Sequence, residues 1–171
     1  MITSLLRQVF IHALILIFLS LLGLGLASFV CKQNGGRLNW SKWEDAYELA
    51  AKEKRIIILD VYTDWCGWCK KMDKDTYNNP QVIESINQKF VAVKLNPEKN
   101  VKHAYKGKTY TSAQLLKELA NIADEGISGY PTTLFIIPQA NEQDHVHVLG
   151  GYFGPKEFLE AMNKLKEYYK I

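Results

Sequence analysis

Cys66-Gly67-Trp68-Cys69 holds the plainest chemistry in this chain of 171 residues. A spacing of three on a helix brings two side chains to one face within one turn, so the two sulfurs can form a disulfide locally. Just before them, Ile56-Ile57-Ile58-Leu59-Asp60-Val61-Tyr62 is a continuous β-branched, apolar run, as a central strand covered on both faces requires. A helical pattern follows through Lys70, Lys71 and Met72. Cys66 therefore falls where a strand turns into a helix, and the free N–H groups and dipole there favour a thiolate. This makes Cys66 the expected nucleophile. Cys69, one turn deeper, is placed to resolve a mixed disulfide between Cys66 and a partner protein.

Other uses of paired cysteines fit less well. Structural zinc wants four ligands, and the chain has three cysteines with no second pair. A c-type haem site wants histidine after the second cysteine, where Lys70 stands. No metal or organic cofactor is expected. The formal net charge of +3, with basic and acidic residues interleaved, gives no reason to expect a nucleic-acid partner. An odd, low cysteine count argues against a scaffold stapled by disulfides, and 47% hydrophobic residues suffice for a core.

The elements that must position the cysteines can be read from periodicity. Ser41-Lys42-Trp43-Glu44 has the form of a capping box, opening a helix to about Glu53 with Trp43, Ala46, Tyr47 and Ala50 on its buried face. Asn79-Pro80 marks a second helix start, and Phe90 to Leu95 is a strand, so strand, helix and strand imply a parallel crossover. Asn96 to Tyr110 reads as a basic loop in which Lys99, Lys102, His103, Lys106 and Lys108 are solvated. Thr111 or Ser112 caps a helix to about Ile122, and Thr132 to Ile137 is a third strand. His145 to Leu149 is a fourth, antiparallel to the third, with His145 and His147 on an exposed face. Pro155 opens a last helix through Leu159, Met162 and Leu165.

The segment Asp60-Val61-Tyr62-Thr63-Asp64-Trp65-Cys66-Gly67-Trp68-Cys69-Lys70 resembles the active-site segment of the thioredoxin family. Asp60 stands six residues before Cys66, where thioredoxins carry a buried carboxylate, and Val93-Lys94-Leu95-Asn96 is similar to the strand that brings a lysine to it. Gly129-Tyr130-Pro131-Thr132 resembles the family's cis-proline loop, and Gly150-Gly151 before the final helix also fits. The resemblance runs from about Ser41 to the C-terminus. It implies an α/β thioredoxin fold, a central mixed sheet flanked by helices. It also implies that Asp60, paired with Lys94, holds or passes the proton that Cys69 gains and loses. A cis Pro131 would leave backbone near Tyr130 to pair with an extended substrate beside Cys66. Trp65, Gly67 and Trp68 complete the expected substrate surface, Trp65 packed into the fold and Trp68 exposed.

Thiol-disulfide exchange on protein substrates is the activity implied, with reduction the preferred direction. An oxidase or isomerase for exported proteins and a non-catalytic client-binding module are the alternatives. Trp68 replaces the proline common between the cysteines of thioredoxins, and that dipeptide tunes redox poise in the family, so direction stays open.

Ahead of the domain, Val9 to Val30 is almost wholly apolar and long enough to span a bilayer. Its length favours an uncleaved signal anchor, Gly25-Leu26-Ala27 offers a signal-peptidase site, and Cys31 offers a lipid acceptor although Val30 before it is not small. The expected organisation is a membrane or signal segment over 1–31, a linker over 32–40 and the domain over 41–171. Arg7 before the run against Lys32, Arg37 and Lys42 after it mildly opposes export. Similar membrane-attached relatives nevertheless act outside the bacterial cytoplasm, drawing electrons from a membrane thiol transporter.

Overall fold

The computed structural model describes residues 36–124, 126–140 and 142–171. The expected membrane segment and Cys31 lie outside the described residues. Among the described residues, no helix is long and apolar enough to cross a membrane.

In chain order the elements are β1 (Trp40–Ser41), α1 (Trp43–Glu53), β2 (Ile56–Val61), α2 (Gly67–Asp75), α3 (Pro80–Lys89) and β3 (Phe90–Leu95). After them come β4 (Lys102–Tyr105), β5 (Lys108–Thr111), α4 (Ser112–Ala123), β6 (Thr132–Ile137), β7 (His145–Gly150) and α5 (Pro155–Tyr169). The main sheet runs β1-β3-β2-β6-β7. β3 is parallel to both β1 and β2, whereas β2 with β6 and β6 with β7 are antiparallel.

Alternation along the strands divides the core into two layers. Ile57, Leu59 and Val61 of β2 face one layer with Trp43, Ala46 and Ala50 of α1 and Leu115 and Leu119 of α4. Ile56 and Ile58 face the other with Met72 of α2, Ile83 and Ile86 of α3, and Phe158 and Met162 of α5. All six residues of β2 are buried, which is why its sequence is apolar without alternation. α3 begins as its sequence predicts, with Pro80 in its first turn and the Asn79 side chain accepting from the N–H groups of Gln81 and Val82. α4 carries a complete capping box between Thr111 and Gln114.

Two expectations are corrected. Ser41 does not cap α1. It pairs with Val93 as Trp40 pairs with Ala92, and this strand pairing holds Ser41 extended, so Lys42 becomes the N-cap without a side-chain bond. The Glu44 carboxylate accepts instead from the Ala104 N–H at 3.2 Å. Leu38 is buried and Trp40 is paired, so this end of the expected linker belongs to the fold.

The basic stretch after β3 is not a solvated loop but the hairpin β4–β5, turned at Lys106 and Gly107, both at positive φ. Lys99 pairs with Asp64, Lys106 pairs with Asp144, and His103 lies 3.0 Å from the Ser112 hydroxyl, while Lys102 and Lys108 are exposed. His145 and His147 do lie exposed on β7.

Asp144, its side chain fully buried, docks this hairpin. Its carboxylate accepts from the Tyr47 and Tyr105 hydroxyls, each at 2.9 Å, and from the Gln139 N–H at 2.9 Å, and it pairs with Lys106 at 2.8 Å. One anion thus joins α1, the hairpin and the loop between β6 and β7. Burial and this carboxylate push both phenols above their ordinary pKa. Asp144→Ala leaves these donors without their acceptor and is expected to cost about 3 kcal/mol. Urea unfolding checks this. A loss well under 1 kcal/mol would mean that the hairpin docks without the carboxylate.

Candidate active site

β2 ends at Val61, but the Tyr62 N–H still donates to the Leu95 carbonyl at 3.1 Å, carrying the pairing one residue further. The chain then turns, with the Cys66 N–H on the Thr63 carbonyl at 3.2 Å, and enters α2. Cys66 is the N-cap of α2, its Sγ accepting from the Cys69 N–H at 3.0 Å. Cys66 and Cys69 are joined by a disulfide, with S–S 2.06 Å and Cα–Cα 5.3 Å. Each cysteine is only 4% exposed, while Trp65, Gly67 and Trp68 around them are exposed. The N–H already aimed at Cys66 Sγ is the donor that would hold a thiolate there.

Both tryptophans are open to solvent, Trp65 at 68% and Trp68 at 59%. The expectation that Trp65 packs into the fold is therefore corrected. What holds it is peripheral: its indole N–H donates to Glu98 at 2.9 Å and its ring meets Tyr130 edge-on at 6.0 Å. Trp68 leans on Tyr152 at 5.5 Å. The Tyr130–Pro131 bond is cis, with Tyr130 half-buried and Pro131 buried, its carbonyl accepting from the Gly151 N–H at 2.8 Å. Trp65 and Tyr130 are thus brought together on the disulfide's flank.

Behind the cysteines, Asp60 and Lys94 are direct partners in the parallel register of β2 and β3, which sets their side chains on one face. Lys94 Nζ lies 2.9 Å from Asp60, and it also lies over the rings of Tyr62 and Trp40 at 4.7 and 4.8 Å. Its second carboxylate is Asp73 of α2, at 2.5 Å. Asp73 was missed in the sequence. It stands four residues after Cys69, hence on the same helix face, and that spacing was the available signal. On the other side of Asp60 in the sheet is Thr133, whose hydroxyl lies 3.1 Å from that of buried Tyr77.

Burial pushes the Asp60 carboxyl up to about 6, Lys94 opposing and Asp73 adding to the rise. Burial alone would lower the Lys94 ammonium, but the two carboxylates lift it above its ordinary value. A cleft of about 600 Å³ between α2 and the Arg37-to-Trp40 segment is lined by Lys94, Asp73, Lys70 and Lys74, giving the pair a polar route to solvent. Among the described residues, no group of three or more His, Cys, Asp or Glu side chains is arranged to hold a metal.

A strand-to-helix disulfide, a buried carboxylate with a lysine partner and a cis-proline loop now stand in one fold. The family profile Thioredox_DsbH, described as a protein of unknown function, DUF255, matches residues 22–170. The chain belongs to this thioredoxin-fold family. Two solved structures share the thioredoxin-like fold seen here. A DsbH oxidoreductase superposes with a TM-score of 0.57 at 21% identity, over 85% of this chain and 93% of that one. A thioredoxin from Thermus thermophilus gives 0.55 at 21% identity, over 76% and 88%. In sequence, the thiol:disulfide interchange protein DsbD of Tatumella citrea is 30% identical over 119 residues, 70% of this chain. The chain spans only 17–18% of the length of the first curated relatives it matches.

A raised carboxyl has a signed consequence for stability. Between about pH 4 and 6 the folded chain holds a proton on Asp60 that the unfolded chain releases, so stability falls as pH rises through that window and is level above it. The rise of this carboxyl from its ordinary value to about 6 is worth about 3 kcal/mol. Relative to Asp60→Asn, the wild type is expected to lose up to that amount between pH 4 and 7, read from urea unfolding at a series of pH values. Parallel profiles would show that Asp60 does not titrate there.

Proposed function

We propose that this domain is a protein thiol-disulfide oxidoreductase that works through Cys66 and Cys69 in the reducing direction. The observation that carries this reading is the Cys66–Cys69 disulfide at the N-cap of α2, nearly buried between two exposed tryptophans. In the reduced enzyme, the Cys66 thiolate attacks a partner disulfide, breaking its S–S bond and releasing one partner thiolate. Cys69 gives up its proton and attacks Cys66 Sγ, and the second partner sulfur leaves with the electron pair. The partner departs as a dithiol and the enzyme as a disulfide. Asp60 takes the Cys69 proton, since a carboxyl near pKa 6 exchanges protons readily at neutral pH. Lys94 holds that carboxyl in place. Trp65, Gly67, Trp68, Tyr130 and Pro131 form the substrate surface, where an extended chain can lie against aromatic rings.

The relatives' names, thiol:disulfide interchange protein and DsbH oxidoreductase, are consistent with this chemistry. We extend it to place and partners. The apolar run Val9 to Val30 tethers or exports the domain, the clients are exported proteins with disulfides or thiols, and a membrane thiol donor re-reduces Cys66 and Cys69. Trp68, in the position where thioredoxins carry proline, favours one other reading, an oxidase or isomerase.

Two measurements test the proposal. Cys69→Ser is expected to accumulate a mixed disulfide with a disulfide-containing protein such as insulin, visible on a non-reducing gel, while Cys66→Ser forms none. The reduction potential of the pair, titrated against dithiothreitol, is expected near that of thioredoxin, about −270 mV. A value of about −120 to −180 mV would make the protein an oxidase or isomerase, and absence of any trapped complex would remove the catalytic reading.

A further inference from the structure

The cleft beside the Asp60–Lys94 pair carries more positive charge than that pair uses. Its volume of about 600 Å³ is lined by four cations, Arg37, Lys70, Lys74 and Lys94, and by one carboxylate, Asp73. Lys94 and Asp73 hold each other, with Asp60 as the second partner of Lys94. Arg37, Lys70 and Lys74 are exposed and form no ion pair among the described residues. The remaining lysine of α2, Lys71, differs: it pairs with Asp75 and lies over the Tyr152 ring at 5.3 Å. Folding does not account for the two unpaired lysines. At a spacing of four they share one helix face and repel each other, and Lys70 stands just past a first turn without an acidic residue, where the dipole disfavours a cation. The helix fixes their place relative to the disulfide. The Lys70 N–H donates to the Cys66 carbonyl at 3.3 Å, so Lys70 lies one turn beyond the N-cap cysteine and Lys74 one turn further. A rise of about 1.5 Å per residue sets them about 6 and 12 Å from Cys66 along the axis.

We infer that this cleft is a docking groove for an acidic segment of the protein that exchanges its disulfide with Cys66. The inference rests on the redox reading of Cys66 and Cys69 and adds to it the class of partner. An extended chain rises about 3.3 Å per residue and turns alternate side chains to one face. Acidic residues two and four positions from the partner's reacting cysteine therefore match Lys70 and Lys74, and Arg37 adds a third positive charge from the other wall. The line of charge starts one turn from the nucleophile. A segment joined to the reacting cysteine can use that placement, and a separate small anion has no need of it. Complementary charge of this kind raises the rate of productive encounter and fixes register. The chemistry is unchanged: the enzyme dithiol is oxidised to its disulfide and the partner disulfide is reduced to two thiols.

The probes are two peptide dimers, each joined by one disulfide, with either glutamate or glutamine two and four residues to each side of the cysteine. Single-turnover oxidation of the reduced full chain in detergent solution is measured with both, each rate corrected for that peptide's own rate with dithiothreitol. At low salt the glutamate peptide is expected to react about fivefold faster, the effect of two exposed charge pairs. The preference should vanish in about 1 M sodium chloride, where the screening length falls to about 3 Å. Lys70→Gln with Lys74→Gln should bring the ratio of the two rates near one, and a general loss of activity would lower both rates without changing their ratio. Equal rates with the wild type would overturn the inference, as would a preference that the double variant leaves intact. A preference abolished by sodium phosphate at an ionic strength where sodium chloride preserves it would assign the cleft to a small anion instead. A wild type that reacts with neither peptide would overturn the redox reading on which the inference rests.

Discussion

A carboxylate buried in the central strand is the constraint around which this domain is arranged. Asp60 is nearly without solvent in a strand whose other residues are all apolar, and an isolated charge there would be strongly unfavourable. Its partner Lys94 can reach it only if β3 lies parallel to β2 in one register, since a slip of one residue would turn Lys94 to the opposite layer. β1 contributes to the same pair although it has two residues, because Trp40 supplies one of the two rings beneath the ammonium. Strand order, register and the first contact of the folded chain thus converge on one ion pair behind the disulfide.

The cysteine pair sits where β2 and β3 end on the same side of the sheet, and the segments leaving those two strands fasten each other. Asn96 and Lys99 hold Asp64, and Glu98 holds Trp65. These are polar contacts at the surface, individually weak. Their effect is to fix the direction of an aromatic ring that the core does not hold. An exposed tryptophan with a fixed ring presents apolar area to a partner with less conformational entropy to lose than a free one.

The elements with one dominant signal were legible in the sequence. β2 could be read from its β-branched run, α3 from Asn79-Pro80, α4 from its capping residues, and the Cys66-to-Cys69 pair from spacing alone. The hairpin β4–β5 was not, because only Tyr105 among its strand residues is buried, so no apolar alternation marks it, and its turn is Lys106-Gly107 rather than a stronger asparagine-glycine signal. Ser41 had the right side chain for a cap, but a tertiary strand pairing decided its backbone. Trp65 looked like a core residue because large aromatics usually are, and its contact with Glu98 lies 33 positions away in sequence. Asp144 carries no local signal of burial, and Asp73 only its spacing four residues after Cys69, since what defines both is the approach of distant chain.

Burial decides a balance within the site to which Asp73 adds. Burial is the largest cause acting on the Asp60 carboxyl, and the Lys94 ammonium works against it, drawing the carboxyl back toward its ordinary range. Lys94 also lies between two carboxylates, one buried and one half-open to water, and the second repels the charged form of the first, the smallest of these effects. Burial prevails, and the Asp60 carboxyl rises to about 6. Acid-base work at neutral pH is most effective for a group near that point. The lysine keeps the carboxyl placed, and the outer carboxylate adds to the rise that burial produces.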